Sequence, residues 1–166
     1  MLIRPENEND FEAIRRVHRE AFAHHPHSHQ TEHLIVDALR AAHALTVSLV
    51  AESEGAVVGH IGFSPAWIDD EDCEWYVLGP VGVLPEEQGR GAGSALVRAG
   101  LEMLRELGAQ GCVLVCEPAF YGRFGFHRIP ELTLDGVPRE KFLALTLGER
   151  IPRGRVEHHS AFFVQA

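Results

Sequence analysis

The sequence predicts an α/β domain in which one mixed sheet carries helices. Three observations lead there: two β-type runs joined by a turn signal, a glycine-rich loop that opens an amphipathic helix, and a continuous apolar run beyond that helix. A hairpin makes antiparallel neighbours and a strand–helix–strand crossover makes parallel ones, so together they give a mixed sheet.

In chain order, Leu2 to Arg4 is a short strand candidate. Phe11, Ile14, Val17, His18 and Phe22 then recur at helical spacing behind the candidate caps Asn9 and Asp10. The segment HHPHSH, His24 to His29, is polar and broken by Pro26, after which Leu34, Ile35, Ala38 and Leu39 form a second helical stripe behind Thr31. TVSLVAE from Thr46 and the run Ala56 to Ser64 flank Ser53-Glu54-Gly55, which reads as a hairpin. Trp75 to Leu84 is a long strand candidate, but Pro80 cannot donate to a ladder, so a bulge or a splayed edge is expected around Gly79, Pro80 and Gly82.

PEEQGRGAG then opens a helix from about Ser94 to Leu107, with Val97, Leu101, Leu104 and Leu107 as its buried face and Gly108 as its stop. Cys112 to Cys116 (CVLVC) suits a strand covered on both faces, and PAFYGRFGF suits one short helix closed by Gly125. Two later β-type runs, Phe142 to Leu147 and Val156 to Val164, complete the pattern.

The 166 residues are 45% apolar and 23% charged, which is globular composition, and no repeat or linker divides them. One domain, residues 1–166, is expected. A chain of this length buries roughly two thirds of its unfolded surface and needs no disulfide or metal to fold. Fifteen basic against twenty-four acidic residues give a net charge of −9 with no basic block, which disfavours nucleic acid as a partner. Cys73, Cys112 and Cys116 form no C-x-x-C pair, and reduced thiols fit the cytoplasm. The opening MLIRPENENDF carries charges where a signal peptide needs an apolar stretch, and no window holds about 18 uninterrupted apolar residues, so neither export nor a membrane is expected. A homodimer is compatible with the sequence, which carries no signal of oligomeric state.

QGRGAGS places three glycines in five positions between a strand and a helix, so backbone N–H groups can turn toward an anion at the helix N-terminus, with Arg90 at the rim. Phosphate binding is the physical reading; a tight strand-to-helix connection is the plain alternative. A Walker A loop is excluded, because no Gly-Lys-Ser/Thr follows. The dinucleotide fingerprint fails too: its third glycine would fall on Ser94 or Leu96, although Glu117 imitates the ribose-binding acid.

VGVLPEEQGRGAGSALV resembles the acetyl-CoA-binding motif of the GNAT superfamily of N-acetyltransferases, Gln/Arg-x-x-Gly-x-Gly/Ala, here Gln88-Gly89-Arg90-Gly91-Ala92-Gly93. PAFYGRFGF is similar to the family's aromatic-Tyr-x-x-x-Gly-Phe segment, with Tyr121, Gly125 and Phe126 in the matching places. The combination looks particularly like the bacterial YhbS-type acetyltransferases. The resemblance implies a mostly antiparallel sheet and direct transfer of acetyl from acetyl-CoA to an amine of a small molecule or protein. It implies that Gly89 to Ser94 hold the pyrophosphate, and that a splayed strand at Val81, Gly82 and Val83 pairs with the pantetheine arm. An N–H near Val83 would then stabilise the oxyanion, and Tyr121 would be the general acid for the departing thiolate. Packing among Phe120, Phe124 and Phe126 is the alternative role for Tyr121.

No spacing selects a general base among Glu52, His60, Glu74, Glu117 and the histidines. His60 reads as a core histidine and Glu117 as a solvated strand-end carboxylate. His29 and His33 stand at i, i+4, but two histidines do not make a metal site, and the group His24, His25, His27, His29 and His33 reads as an exposed polar loop, which the resemblance implies lies beside the acceptor cleft. His158 and His159 are similarly ambiguous. Cys112 and Cys116 share a strand parity and suit buried, inert thiols better than an acetyl-cysteine route. Asp69 to Asp72 reads as a solvated loop between strands. Two rivals remain: a fold that binds CoA or acyl-CoA without turnover, as a sensor or interaction module, and a dinucleotide-binding oxidoreductase.

Overall fold

The computed structural model describes residues 1–116 and 118–165. Its frame is a mixed α/β sheet whose strands run in the order β1 (Leu2–Pro5), β2 (Val47–Ser53), β3 (Ala56–Ile68), β4 (Glu71–Val83), β5 (Gly111–Val115) and β7 (Phe142–Thr146). Every neighbouring pair along that order is antiparallel except β4 with β5, the pair joined by the crossover. β8 (Gly154–His158) pairs with the far end of β3 and with the two-residue β6 (Leu132–Thr133). At two residues, β6 is too short to leave an alternating pattern in the sequence.

Helix α1 (Phe11–Phe22) and helix α2 (Glu32–Ala41) cover one face of the sheet, and α3 (Ala92–Glu106) covers the other. Along α3 the buried stripe is Leu96, Val97, Gly100, Leu101 and Leu104. Gly100 lets the helix close on β3, since a Cβ there would lie 2.2 Å from the Phe63 ring. Leu107, expected in this stripe, is 57% exposed. It occupies the helix C-cap, where the phase of the buried face has passed and Gly108 has begun to turn the chain away.

Other expectations are also corrected. Asp10 stands at the N-cap of α1 as expected but makes no side-chain cap bond there; the side-chain cap falls instead on Asn7, ahead of the 3-10 turn Glu8–Asp10 that leads into α1. Asn7 Oδ1 accepts from the Asn9 N–H and Asp10 Oδ2 accepts from the Asn7 N–H, closing a capping box on a single turn of 3-10 helix. Asp10 is instead buried against Arg4, whose guanidinium holds its carboxyl below the usual range. Asp69 and Asp70 form a tight turn with positive φ, while Glu71 and Asp72 already belong to β4, so the solvated acidic segment is shorter than a loop. The run 156–164 is strand only to His158. His159 then caps a 3-10 turn over Ser160–Phe163 by accepting from the Ala161 N–H.

The hairpin, the expected bulge and the splay position the site. Opposite Gly62 stand both Gly79 and Pro80, because the register steps from Ile61–Val81 to Phe63–Leu78. On its other edge β4 pairs with β5 only through Trp75, Tyr76 and Val77. From Leu78 to Val83 the two parallel strands part company.

Candidate active site

Where β4 leaves the sheet, Leu84 donates its N–H to Val58, and Pro85–Glu87 make one 3-10 turn. Gln88 then reaches back, donating from Nε2 to the Val83 carbonyl at 3.0 Å and fixing the loop to the end of the strand. Gly91, at φ 91°, is the N-cap of α3, in a left-handed conformation that disfavours any other residue. The first helical bond is Ala95 N–H to Gly91, so the N–H groups of Ala92, Gly93 and Ser94 have no helical acceptor. No acidic residue lies in the first turn.

Those N–H groups border a cavity of about 320 Å³ lined by Val83, Glu87, Gln88, Gly89, Gly91, Ala92, Gly93, Ser94, Phe120 and Arg123. Positive helix-end dipole and open N–H groups together suit a phosphate. Arg90, expected at the rim, is turned to Glu87 at 3.4 Å and does not line the cavity. The cation that does is Arg123, stacked 4.6 Å over the Phe120 ring. Arg123 sits inside PAFYGRFGF at a variable position of that motif, so the motif does not single it out.

The cavity meets the mouth of the splay at Val83, the last residue of β4, and at Phe120 across from it. Leu84 turns its N–H toward β3, so by strand alternation the N–H groups of Val83 and Val81 turn away from β3 into the gap. Across the gap, α4 (Pro118–Tyr121) and the 3-10 turn Gly122–Phe124 follow β5, so the expected single helix is two short pieces, closed by Gly125 at φ 94°. Tyr121 is 5% exposed, with Phe120 at 4.9 Å and Phe126 at 6.0 Å between ring centroids. It shares an apolar cluster with Leu78, Val81, Val83, Cys112 and Cys116. Burial, then the nearby Cys116 and Cys112, push its phenol well above the usual range, so it carries its proton at neutral pH. Burial also pushes the Cys112 thiol up, which removes it as a nucleophile.

The base candidates separate clearly. Glu52 is bound to Arg4 at 3.3 Å, Glu74 is exposed, and Glu117 lies outside the described residues. His60 is fully buried, with Ser48 on one ring nitrogen and His18 on the other. His24, His25, His27 and His29 are exposed; His29 precedes α2, so it does not share a helical face with His33. His158 is the last residue of β8, paired with Ala66 of β3, and burial lowers its imidazole to about 4.

The Acetyltransferase (GNAT) family profile matches residues 11–126. Over 127 residues the chain is 37% identical to the uncharacterized N-acetyltransferase YhbS of Escherichia coli K12, covering 76% of this chain and 73% of that protein. A crystal structure of a GNAT family acetyltransferase from Brucella melitensis, in complex with acetyl-CoA, superposes with a TM-score of 0.88 at 47% identity, covering 97% of each chain. The crystal structure of E. coli YhbS in complex with CoA gives a TM-score of 0.89 at 32% identity, covering 98% of this chain and 92% of that one.

Proposed function

Since the chain belongs to the GNAT acetyltransferase family, we propose that it transfers the acetyl group of acetyl-CoA to a primary amine by direct attack within a ternary complex. The observation that carries this is that the α3 N-terminal cavity borders, at Val83 and Phe120, the mouth of the gap between β4 and β5. An anion-binding end joined to a strand edge with free N–H groups is the shape required by a long molecule with a diphosphate at one end and an amide-bearing arm at the other.

In this scheme Gly89 to Ser94 and Arg123 hold the diphosphate, and Gln88 keeps the loop against Val83. Val81, Gly82 and Val83 pair with the arm as a further strand would. The Val83 N–H faces the carbonyl oxygen and stabilises the negative charge that develops as the amine adds. Tyr121, kept protonated by burial, delivers its proton to the departing sulfur. Val83 and Tyr121 stand on the two walls of the gap, so one polarises the carbonyl while the other serves the leaving group.

The fold acts as one domain, and its thiols, none in a disulfide among the described residues, suit a reducing cytoplasm. The test is thiol release from acetyl-CoA in the presence of a panel of primary amines. Amine-dependent release supports transfer; binding of acetyl-CoA with no release by any amine favours a CoA-binding sensor.

A further inference from the structure

A chain of polar groups, its two histidines fully buried, runs along the sheet face that α1 and α2 cover, behind Gly82. His18, on α1, and His60, on β3, are both fully buried, and His18 Nε2 lies 2.8 Å from His60 Nδ1. His60 Nε2 lies 2.8 Å from Ser48 Oγ on β2, and Ser48 Oγ donates to Glu6 Oε1. Glu6 is gripped from α2 by Arg40, whose Nη2 and Nε donate to its two oxygens at 2.8 and 2.9 Å. Arg40 is anchored in turn by Asp37 at 3.0 Å.

The carboxylate end sets the direction of every bond. Ser48 spends its proton on Glu6, so its oxygen must accept from His60 Nε2–H. His60 Nδ1 is then bare and must accept from His18 Nε2–H. His18 Nδ1 is therefore left as a lone pair. That atom is buried, has no hydrogen-bond partner among the described residues, and lies 3.0 Å from the point a Cβ on Gly82 would occupy. An orphaned acceptor in an apolar interior is costly unless something comes to meet it. Gly82 is the middle residue of the segment assigned above to the reacting arm, and its lack of a side chain lets the His18 ring pack directly against that segment.

We propose that His18 is the proton acceptor of the transfer reaction, and that His60, Ser48 and Glu6 are positioning residues that hold it in the tautomer with a bare Nδ1. The proposal rests on the acetyltransferase reading above. As the amine nitrogen bonds to the carbonyl carbon, the N–H electrons stay on nitrogen and the proton passes to His18 Nδ1. The C–S bond breaks, and Tyr121 supplies a proton to the sulfur. One proton gained and one given leave the protein's net charge unchanged, and exchange with water restores both groups.

Burial first, then His60 and His33, keep His18 far below its usual range, and burial with Arg40 lowers His60 to about 3, so both rings are neutral and His18 takes a proton only from a strongly acidic donor. A weak base is sufficient, because a nitrogen that has added to a carbonyl bears positive charge and is far more acidic than a free ammonium. Around the pair, His33 and Arg40 face it from α2, Glu6 from the loop after β1 and Ser48 from β2, while Phe22 stacks on His18.

The test uses the full chain with acetyl-CoA, and ethylamine as a probe small enough to enter any cleft. His18→Ala should bind acetyl-CoA within about twofold of wild type but release thiol at least roughly 100-fold more slowly, with added imidazole restoring part of the rate. His18→Asn serves if the alanine variant fails to fold. Ser48→Ala should shift the pH profile and Ser48→Thr should restore it. In ¹⁵N spectra His18 should show protonated Nε2 and bare Nδ1, and Glu6→Gln should scramble that tautomer. A folded His18 variant as fast as wild type, or a His18 protonated on Nδ1, overturns the proposal while leaving the enzyme reading intact. A wild-type protein that binds acetyl-CoA and transfers to no amine overturns both.

Discussion

Replacing Gly91 by Val separates two effects that the structure places on one residue. At φ 91° a Cβ at this position meets no atom within 4 Å, so the unliganded protein pays only for the left-handed backbone, about 1–2 kcal/mol. For a chain of this size that is a fall in Tm of about 2–8 °C. The ligand suffers more. The new side chain projects at the mouth of the α3 cavity and holds a diphosphate away from the N–H groups of Ala92, Gly93 and Ser94. Loss of two charge-assisted hydrogen bonds, about 1.5–3 kcal/mol each, weakens acetyl-CoA binding by roughly 10²- to 10⁴-fold. Gly108→Val is the control: its φ of 80° gives the same strain, again with nothing within 4 Å, at the opposite end of α3 from the loop. Calorimetric titration with acetyl-CoA beside thermal melts reads both effects. Melting points should fall alike while only Gly91→Val loses affinity, and a folded Gly91→Val protein that binds as tightly as wild type refutes the cradle.

Other outcomes follow from the same geometry. Tyr121→Phe should lower turnover about 100-fold with acetyl-CoA affinity nearly unchanged; equal losses in both would assign the tyrosine to packing. Arg123→Ala should weaken CoA binding roughly tenfold and flatten its salt dependence, whereas Arg90→Ala should change it little, as titrations at two ionic strengths would show. Leu104→Ala should cost about 2–5 kcal/mol in urea unfolding and Leu107→Ala less than about 0.5, because the first is fully buried and the second exposed. Unfolded imidazoles bind protons below about pH 6.5, while buried His18, His60 and His158 refuse them until much lower, His60 to about 3 and His158 to about 4. Stability should therefore fall as pH drops from about 6.5, by roughly 1.4 kcal/mol per group per pH unit, and equal urea midpoints at pH 7.5 and 5 would contradict this.

The parts of the fold legible in the sequence are those with a local cause. The hairpin is announced by Ser53-Glu54-Gly55, the end of α3 by Gly108, and the bulge by the only proline inside the long β4 run that also carries Gly79. The glycine loop is equally explicit, since its spacing is a backbone requirement written in residue types. What escaped depends on distant partners. Leu107 has the right character for a core stripe and misses it by helical phase at the cap. Arg123 looked like a spacer until the turn after α4 placed it over Phe120 beside the α3 N-terminus. His18 and His60 are 42 residues apart in sequence, and each alone reads as a core position; only pairing of β2 with β3, and packing of α1 across them, reveals the chain from Glu6 to Gly82.

The central claim, a CoA-binding cleft that leads from the α3 N-terminus into the β4–β5 gap, is tested most directly by calorimetric titration of the protein with acetyl-CoA, free CoA and NAD in parallel. Saturable binding of acetyl-CoA and CoA with no heat from NAD is the predicted result. Absence of CoA binding, or binding of NAD in its place, would contradict it.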